Sequence, residues 1–210
     1  MTTKIRIPIK EVIFFLKEIG EEKKKEIEVT KKDMYIDSIL VNTSTYISDA
    51  AMNFFSKMRE IDRYISELKN RKEKYHPLID EMLEEKVYVN NFLQDKSEEI
   101  NKMRKMWVRK IPTIEELNII QNILKDIILV FKKRLEKVSK LLNILQKEAD
   151  NKYTEKIFNV FRKKANTFDY DFIIHILQEL ETQIPKDIEH FLKDIHKIYD
   201  FIEYLQLEKD

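Results

Sequence analysis

Apolar residues recur at alternating three- and four-residue spacings through most of this chain. Ile36, Leu40, Ile47, Ala50 and Phe54 form one stripe, with Thr43 in a polar slot. After one four-four step the stripe resumes as Met58, Ile61, Ile65, Leu68 and Tyr75, broken by Lys72. This spacing keeps one face of a helix apolar and resembles a coiled-coil seam with a single stutter. Pro77 disfavours helix at the residue before it, so the pattern predicts a helix over about 32–75. Pro77 then opens a second long helix, with Ile79, Met82, Val89, Leu93, Ile100, Met103 and Trp107 on the stripe and Lys86 and Lys96 in polar slots. It is expected to stop at Ile111–Pro112.

Thr113 and Glu116 have the spacing of a capping box, which satisfies two backbone donors at a helix start. The cleanest stripe follows: Ile114, Leu117, Gln121, Leu124, Ile128, Phe131, Leu135, Val138, Leu142 and Leu145. Ile120, Ile123, Ile127 and Val130 add a second row, which calls for more than one neighbour. After Leu145 the spacing drifts through Ala149, Tyr153 and Ile157, and the helix is expected to end near Thr167. Two shorter helices are predicted beyond it, about 170–183 and 186–207, divided by Pro185 because an interior proline removes a backbone bond and clashes with the preceding turn. The last stripe reads Ile184, Ile188, Phe191, Ile195, Ile198, Ile202 and Leu205.

The start of the chain differs. Lys4, Ile5, Arg6, Ile7 and Ile9 alternate polar and apolar around Pro8 and read as an extended arm. A short helix over about 9–19 would stop at Gly20, and the run 21–26 reads as a solvated linker or a fraying helix start. These readings divide the chain into an arm and short helix at 1–31 and one helical-bundle domain at 32–210. Short connections force neighbouring helices to run antiparallel. The expected fold is therefore all-α: an elongated antiparallel bundle of long coiled-coil-like helices with two shorter C-terminal helices.

Composition sharpens this picture by exclusion. A single glycine among 210 residues leaves no material for phosphate-cradling loops or for the tight turns of a sheet. With no cysteine there are no disulfides, thiolate metal sites or thiol nucleophiles. The apolar run at 12–16 is too short for a signal peptide or a membrane span. Together these point to an intracellular, cytoplasmic protein. The one Asn-x-Ser sequence, at Asn42, falls in a helical stretch and carries little weight.

Charge is 37% of the chain and unevenly spread. Residues 102–164 hold 17 Lys/Arg against 7 Asp/Glu, whereas 168–210 hold 4 against 11. Either a partner of complementary charge answers this imbalance or the two segments pack beside each other; the second is the simpler expectation. Within the basic segment, Lys102, Arg104, Lys105, Arg109 and Lys110 surround the only tryptophan, and Lys132, Lys133 and Arg134 form a second group placed on an outer face. Both could contact a polyanion, either nucleic acid or an anionic membrane. The competing reading makes Trp107 core, since it lies on the stripe, and the cations a solvated flank near a helix C-terminus.

Catalytic and metal chemistry find little footing. His190 lies near Asp187 and Asp194 on one side of a helix, but the pair of Glu-x-x-His motifs that a di-iron bundle needs does not occur. His175, within an apolar stretch, is expected to be a partly buried, satisfied side chain. Nearly all carboxylates fall on outer faces, with no pair marked for acid–base work. The reading is thus a non-enzymatic structural or adaptor protein without metal, cofactor or small-molecule substrate. It would act through helix-face association with a protein partner or a second copy, with Lys4, Ile5, Arg6, Ile7 and Ile9 as a candidate docking arm. The alternative is polyanion binding along 102–164.

Overall fold

The computed structural model describes residues 21–71, 75–107, 111–158 and 170–207, with side chains from residue 34 and up to residue 150 in the third segment. Four helices account for nearly all of these: α1 (Glu21–Asn70), α2 (Leu78–Met106), α3 (Ile114–Phe158) and α4 (Asp171–Leu207). At 50 residues, α1 is about 75 Å long. The protein is all-α, and among the described residues no helix is long and apolar enough to cross a membrane.

Cross-helix contacts fix the arrangement. Asp37 meets Arg104 and Lys69 meets Asp80, so α1 and α2 run antiparallel. Tyr35 packs on Phe201 and Tyr64 on Phe172, so α1 and α4 do too. Phe131 lies 5.7 Å from Phe191, and Ser139 donates to Glu181, which sets α3 against α4. Glu85 meets Arg134 and Glu81 meets Lys137, which closes α2 on α3. Backbone neighbours therefore run round a ring, α1–α2–α3–α4–α1, and packing is most extensive within the α1–α2 and α3–α4 pairs.

The stripes form the core. Ile36, Leu40, Ile47, Phe54, Met58, Ile61, Ile65 and Leu68 of α1 are buried, as are Ile79, Met82, Val89, Leu93, Ile100 and Met103 of α2. On α3 both rows turn inward, with only Ile114, Val130 and Leu135 at the margin. The wide apolar face arises because α3 packs against α2 on one side and α4 on the other. Phe191 is fully buried and touches Tyr46 of α1 edge-on at 5.5 Å as well as Phe131 of α3. Trp107 is core as well, closing α2 with its backbone N–H on the Arg104 carbonyl.

The helix starts follow local chemistry. Thr113 N–H donates to Glu116 Oε2 at 2.7 Å, and Glu116 N–H donates to Thr113 Oγ1 at 3.2 Å, completing the capping box. At the α1–α2 corner, Tyr75 and Lys69 both donate to Asp80, anchoring the first turn of α2 to the end of α1.

Two boundaries differ from the sequence expectation. The helix expected from Lys32 begins at Glu21, so of the two readings of 21–26 the helix start holds and the linker does not. The two C-terminal helices are one: α4 runs unbroken through Pro185. An interior proline costs a helix about 3 kcal/mol. Here Ile173, Ile176, Leu177, Leu180 and Ile184 before the proline lie on the same buried face as Phe191, Ile198 and Ile202 after it. Breaking the helix would lift one of these groups out of the core, and each fully buried large apolar side chain contributes roughly 1.5–3 kcal/mol. Pro185 itself points to solvent. The arm and short helix expected at 4–19 lie outside the described residues, as do Lys72 and the end expected near Thr167.

Candidate functional site

Where the apolar stripes are interrupted, the bundle builds polar contacts between helices. The largest group joins α1 to α4. Asp187 and Asp194 are both buried, and the Asp194 side chain is 2% exposed. Asp187 Oδ1 accepts from Tyr46 Oη at 2.9 Å and from Gln183 Nε2 at 2.8 Å. Asp194 Oδ2 accepts from Thr43 Oγ1 at 2.8 Å, and its Oδ1 accepts from Lys197 at 2.7 Å. His190 stacks on Tyr46 with ring centroids 3.7 Å apart. Its Nε2 is buried, makes no hydrogen bond, and lies 3.5 Å from Asp194 Oδ2.

The electrostatics follow from this placement. Burial pushes the Asp187 carboxyl up from its ordinary value, against the pull of the Gln183 and Tyr46 bonds and of His190 and Lys186. Burial also pushes the His190 imidazole down, opposed by Asp194 and Asp187. The Tyr46 phenol is raised by burial first and by Asp187 second. Imidazole, phenol and the two carboxyl groups form a cluster able to hold or shift a proton. Among the described residues, no group of three or more His, Cys, Asp or Glu is arranged to hold a metal ion.

These two carboxylates are the exceptions to the expectation that nearly all acidic residues lie on outer faces. The four-residue stripe Ile184, Ile188, Phe191, Ile195 describes only half of the buried face. Because α4 touches both α1 and α3, its interior arc is wide; Asp187 and Asp194 are buried while Ile188 and Ile195 are half-buried. The signal was present in the three-four spacing of Ile184, Asp187, Phe191, Asp194 and Ile198, which an apolar template passes over.

Other polar slots are satisfied between helices or, for Lys96, within one. Between α1 and α2, Ser48 and Ser97 hydroxyls lie 3.0 Å apart, Ser97 donates to the Ser44 carbonyl at 2.9 Å, and Ser44 reaches Asn101 at 3.1 Å. Lys86 pairs with Asp62, and Lys96 lies over the Phe92 ring while pairing with Glu99. Gln121 reaches the Ile195 carbonyl of α4 at 3.5 Å.

The candidate polyanion residues are placed unequally. Lys102 and Lys105 are exposed, and Lys102 lies 3.9 Å from Glu98. Arg104 is tied to Asp37 of α1. Arg109 and Lys110 lie outside the described residues. Lys132 and Lys133 are exposed on α3, but Arg134 is not on that outer face: it is buried and paired with Glu85 of α2. The reason is helical geometry, since Arg134 lies seven residues after Ile127 and four after Val130, on the row that meets α2. Burial lowers its pKa from the ordinary guanidinium value. Lys137 joins the same pair, 2.6 Å from Glu85 and 3.1 Å from Glu81. The cross-helix ion pairs of the basic α3 thus run to α2, and Glu179 of the acidic α4 pairs with Lys57 of α1. His175 also departs from expectation: its side chain is 70% exposed, 3.4 Å from Glu179.

The concavities lined by described residues include two near these elements. A pocket of about 280 Å³ is lined by Met34, Ile36, Leu40 and Trp107 together with the Asp37–Arg104 pair and Lys105. A broader open groove lies over Lys57, His175, Glu179 and Gln183. No protein-family model, no curated protein and no solved structure matches this chain.

Proposed function

We propose that this protein is a non-enzymatic structural or adaptor protein that associates with a protein partner through the outer faces of its helices. The observation behind this reading is the closure of the bundle upon itself. Each stripe meets another stripe of the same chain, and the polar slots at Thr43, Lys86, Lys96 and Gln121 find partners within the chain. Such a bundle needs no second copy to cover its described seams, and coiled-coil-like side-chain packing along α1–α2 and α3–α4 would make it a stiff rod. A partner would meet charged helix flanks with single exposed apolar side chains, such as Met52, Tyr88, Met106 and Leu129. The arm at 4–9 remains a candidate docking element for the same partner.

Cross-linking in the native cell followed by pull-down, paired with light scattering at low concentration, tests this reading. The expected result is the mass of one chain and a captured protein partner. A monomer that captures no protein would sink the proposal, and a mass of two chains would show that a second copy covers an outer face.

The second reading, polyanion binding, retains support from exposed Lys102, Lys105, Lys132 and Lys133. It loses Arg134 and half of its claim on Arg104, both engaged by carboxylates. Gel shift and liposome sedimentation at two salt concentrations decide it, because phosphate contacts weaken steeply with salt.

A further inference from the structure

The contact between Thr43, Asp194 and His190 has two arrangements of equal reach. Thr43 Oγ1 lies 2.8 Å from Asp194 Oδ2 across the α1–α4 seam and 2.8 Å from the Ile39 carbonyl within its own helix. A hydroxyl has one proton and can direct it to one of them at a time. His190 Nε2 faces the same Asp194 oxygen from 3.5 Å, one turn back on α4, and makes no hydrogen bond there. Each of the two helices therefore contains an internal substitute for the bond that now joins them.

We infer that the α1–α4 seam is a proton-operated latch in which Asp194 exchanges its partner on α1 for one on α4. With His190 neutral, Thr43 donates across the seam to Asp194. When the imidazole takes a proton from solvent, both ring nitrogens become donors. Nε2–H then closes on Asp194 Oδ2 as a charge-assisted bond, stronger than the hydroxyl's. The imidazolium draws charge from Oδ2 and weakens it as an acceptor for the hydroxyl, so Thr43 turns its proton to the Ile39 carbonyl. No group is left without a partner, yet the tie between the helices has been withdrawn into each of them.

The surroundings are compatible with this direction. The charges acting on the ring are Asp194, Asp187, Lys197 and Lys193, all on α4. From α1 it faces Tyr46, the phenol itself being acted on by Asp49, while Thr43 reaches the Asp194 oxygen beside it. From α3, Phe131 packs against the adjacent Phe191. Desolvation outweighs the two carboxylates and disfavours the charged ring in the closed seam, so protonation and opening of the seam favour each other. The latch would let acidification release α1 from α4 while the more extensive α1–α2 and α3–α4 packing stays in place.

Hydrogen exchange of the whole chain at pH 7.5 and 5.5, expressed as protection factors so that the intrinsic pH dependence cancels, tests the latch. Protection around 40–50 and 187–198 is expected to fall severalfold at the lower pH, with the α2 and α3 cores unchanged. His190→Gln should abolish that difference. Thr43→Val should leave the seam weakly protected at both pH values. Carbon-13 NMR of the wild type provides a readout that needs no variant: the Asp194 carboxylate and Thr43 methyl signals should move with the His190 midpoint. Unchanged or higher protection at pH 5.5, a pH effect that survives in His190→Gln, or an Asp194 signal that ignores the His190 midpoint would overturn the inference.

Discussion

Glu85→Ala is the substitution whose cost the structure defines most sharply. Glu85 accepts from Arg134 through one oxygen and from Lys137 through the other. The Arg134 side chain is only 10% exposed, and that of Glu85 is 32% exposed. Removing Glu85 leaves a guanidinium in the α2–α3 interface with no carboxylate, and places it beside Lys137. Stripping one partner from a fully buried pair costs about 3–5 kcal/mol. Partial exposure of Glu85 and Lys137 lets water offset part of this, so the expected cost is about 2–3 kcal/mol. The reverse substitution behaves differently. Arg134→Met removes the desolvated charge and fills the space, while Glu85 retains Lys137. Its expected effect is within about 1 kcal/mol of zero, since replacing a buried ion by an apolar residue of similar size is often neutral or stabilising.

Urea unfolding followed by circular dichroism measures both, with the midpoint compared at constant slope. The double variant Glu85→Leu with Arg134→Met should recover most of the loss, and the cycle gives the coupling directly. Equal costs for the two single variants, or a Glu85→Ala cost below about 0.5 kcal/mol, would show that Arg134 is solvated and paired only loosely. Either outcome would return it to the exposed basic face and strengthen the polyanion reading.

Other consequences are as direct. Pro185→Ala restores a backbone donor inside α4 and should raise the melting temperature, by up to about 3 kcal/mol in unfolding free energy; a loss of stability would mean that the proline sets a bend the core requires. Thr113→Ala removes half of the capping box and should cost about 1 kcal/mol by the same urea titration. Asp187→Asn should stabilise the protein at pH 7. The sign follows from the raised carboxyl pKa. Folding disfavours the ionised form, so the stability tied to the protonated form is present below the ordinary carboxylate range and lost as pH rises through the folded-state value. The gain from asparagine should therefore shrink as pH falls below that range, and a gain independent of pH would contradict the assigned cause.

Much of this architecture is written in local patterns. The stripes of α1, α2 and α3 are read from three- and four-residue spacings because burial on a helix repeats with the turn, whatever lies opposite. The capping box at Thr113 and the break at Pro77 are decided within a few residues of backbone. The double row on α3 even announces two neighbours. Those features, and the all-α class they imply, follow from the sequence alone.

What the sequence left open depends on which helix faces which. Pro185 reads locally as a stop, yet burial on both sides of it outweighs the missing backbone bond. Arg134 looks like a member of the Lys132–Lys133 run, but its row on α3 turns toward Glu85. Asp187 and Asp194 interrupt an apolar pattern; Gln183 and Lys197 satisfy them from within α4, and Tyr46 and Thr43, some 140 to 150 residues earlier, complete their partners across the seam. A buried polar group is acceptable only when a partner arrives from elsewhere in the chain, and tertiary structure alone decides where that partner is.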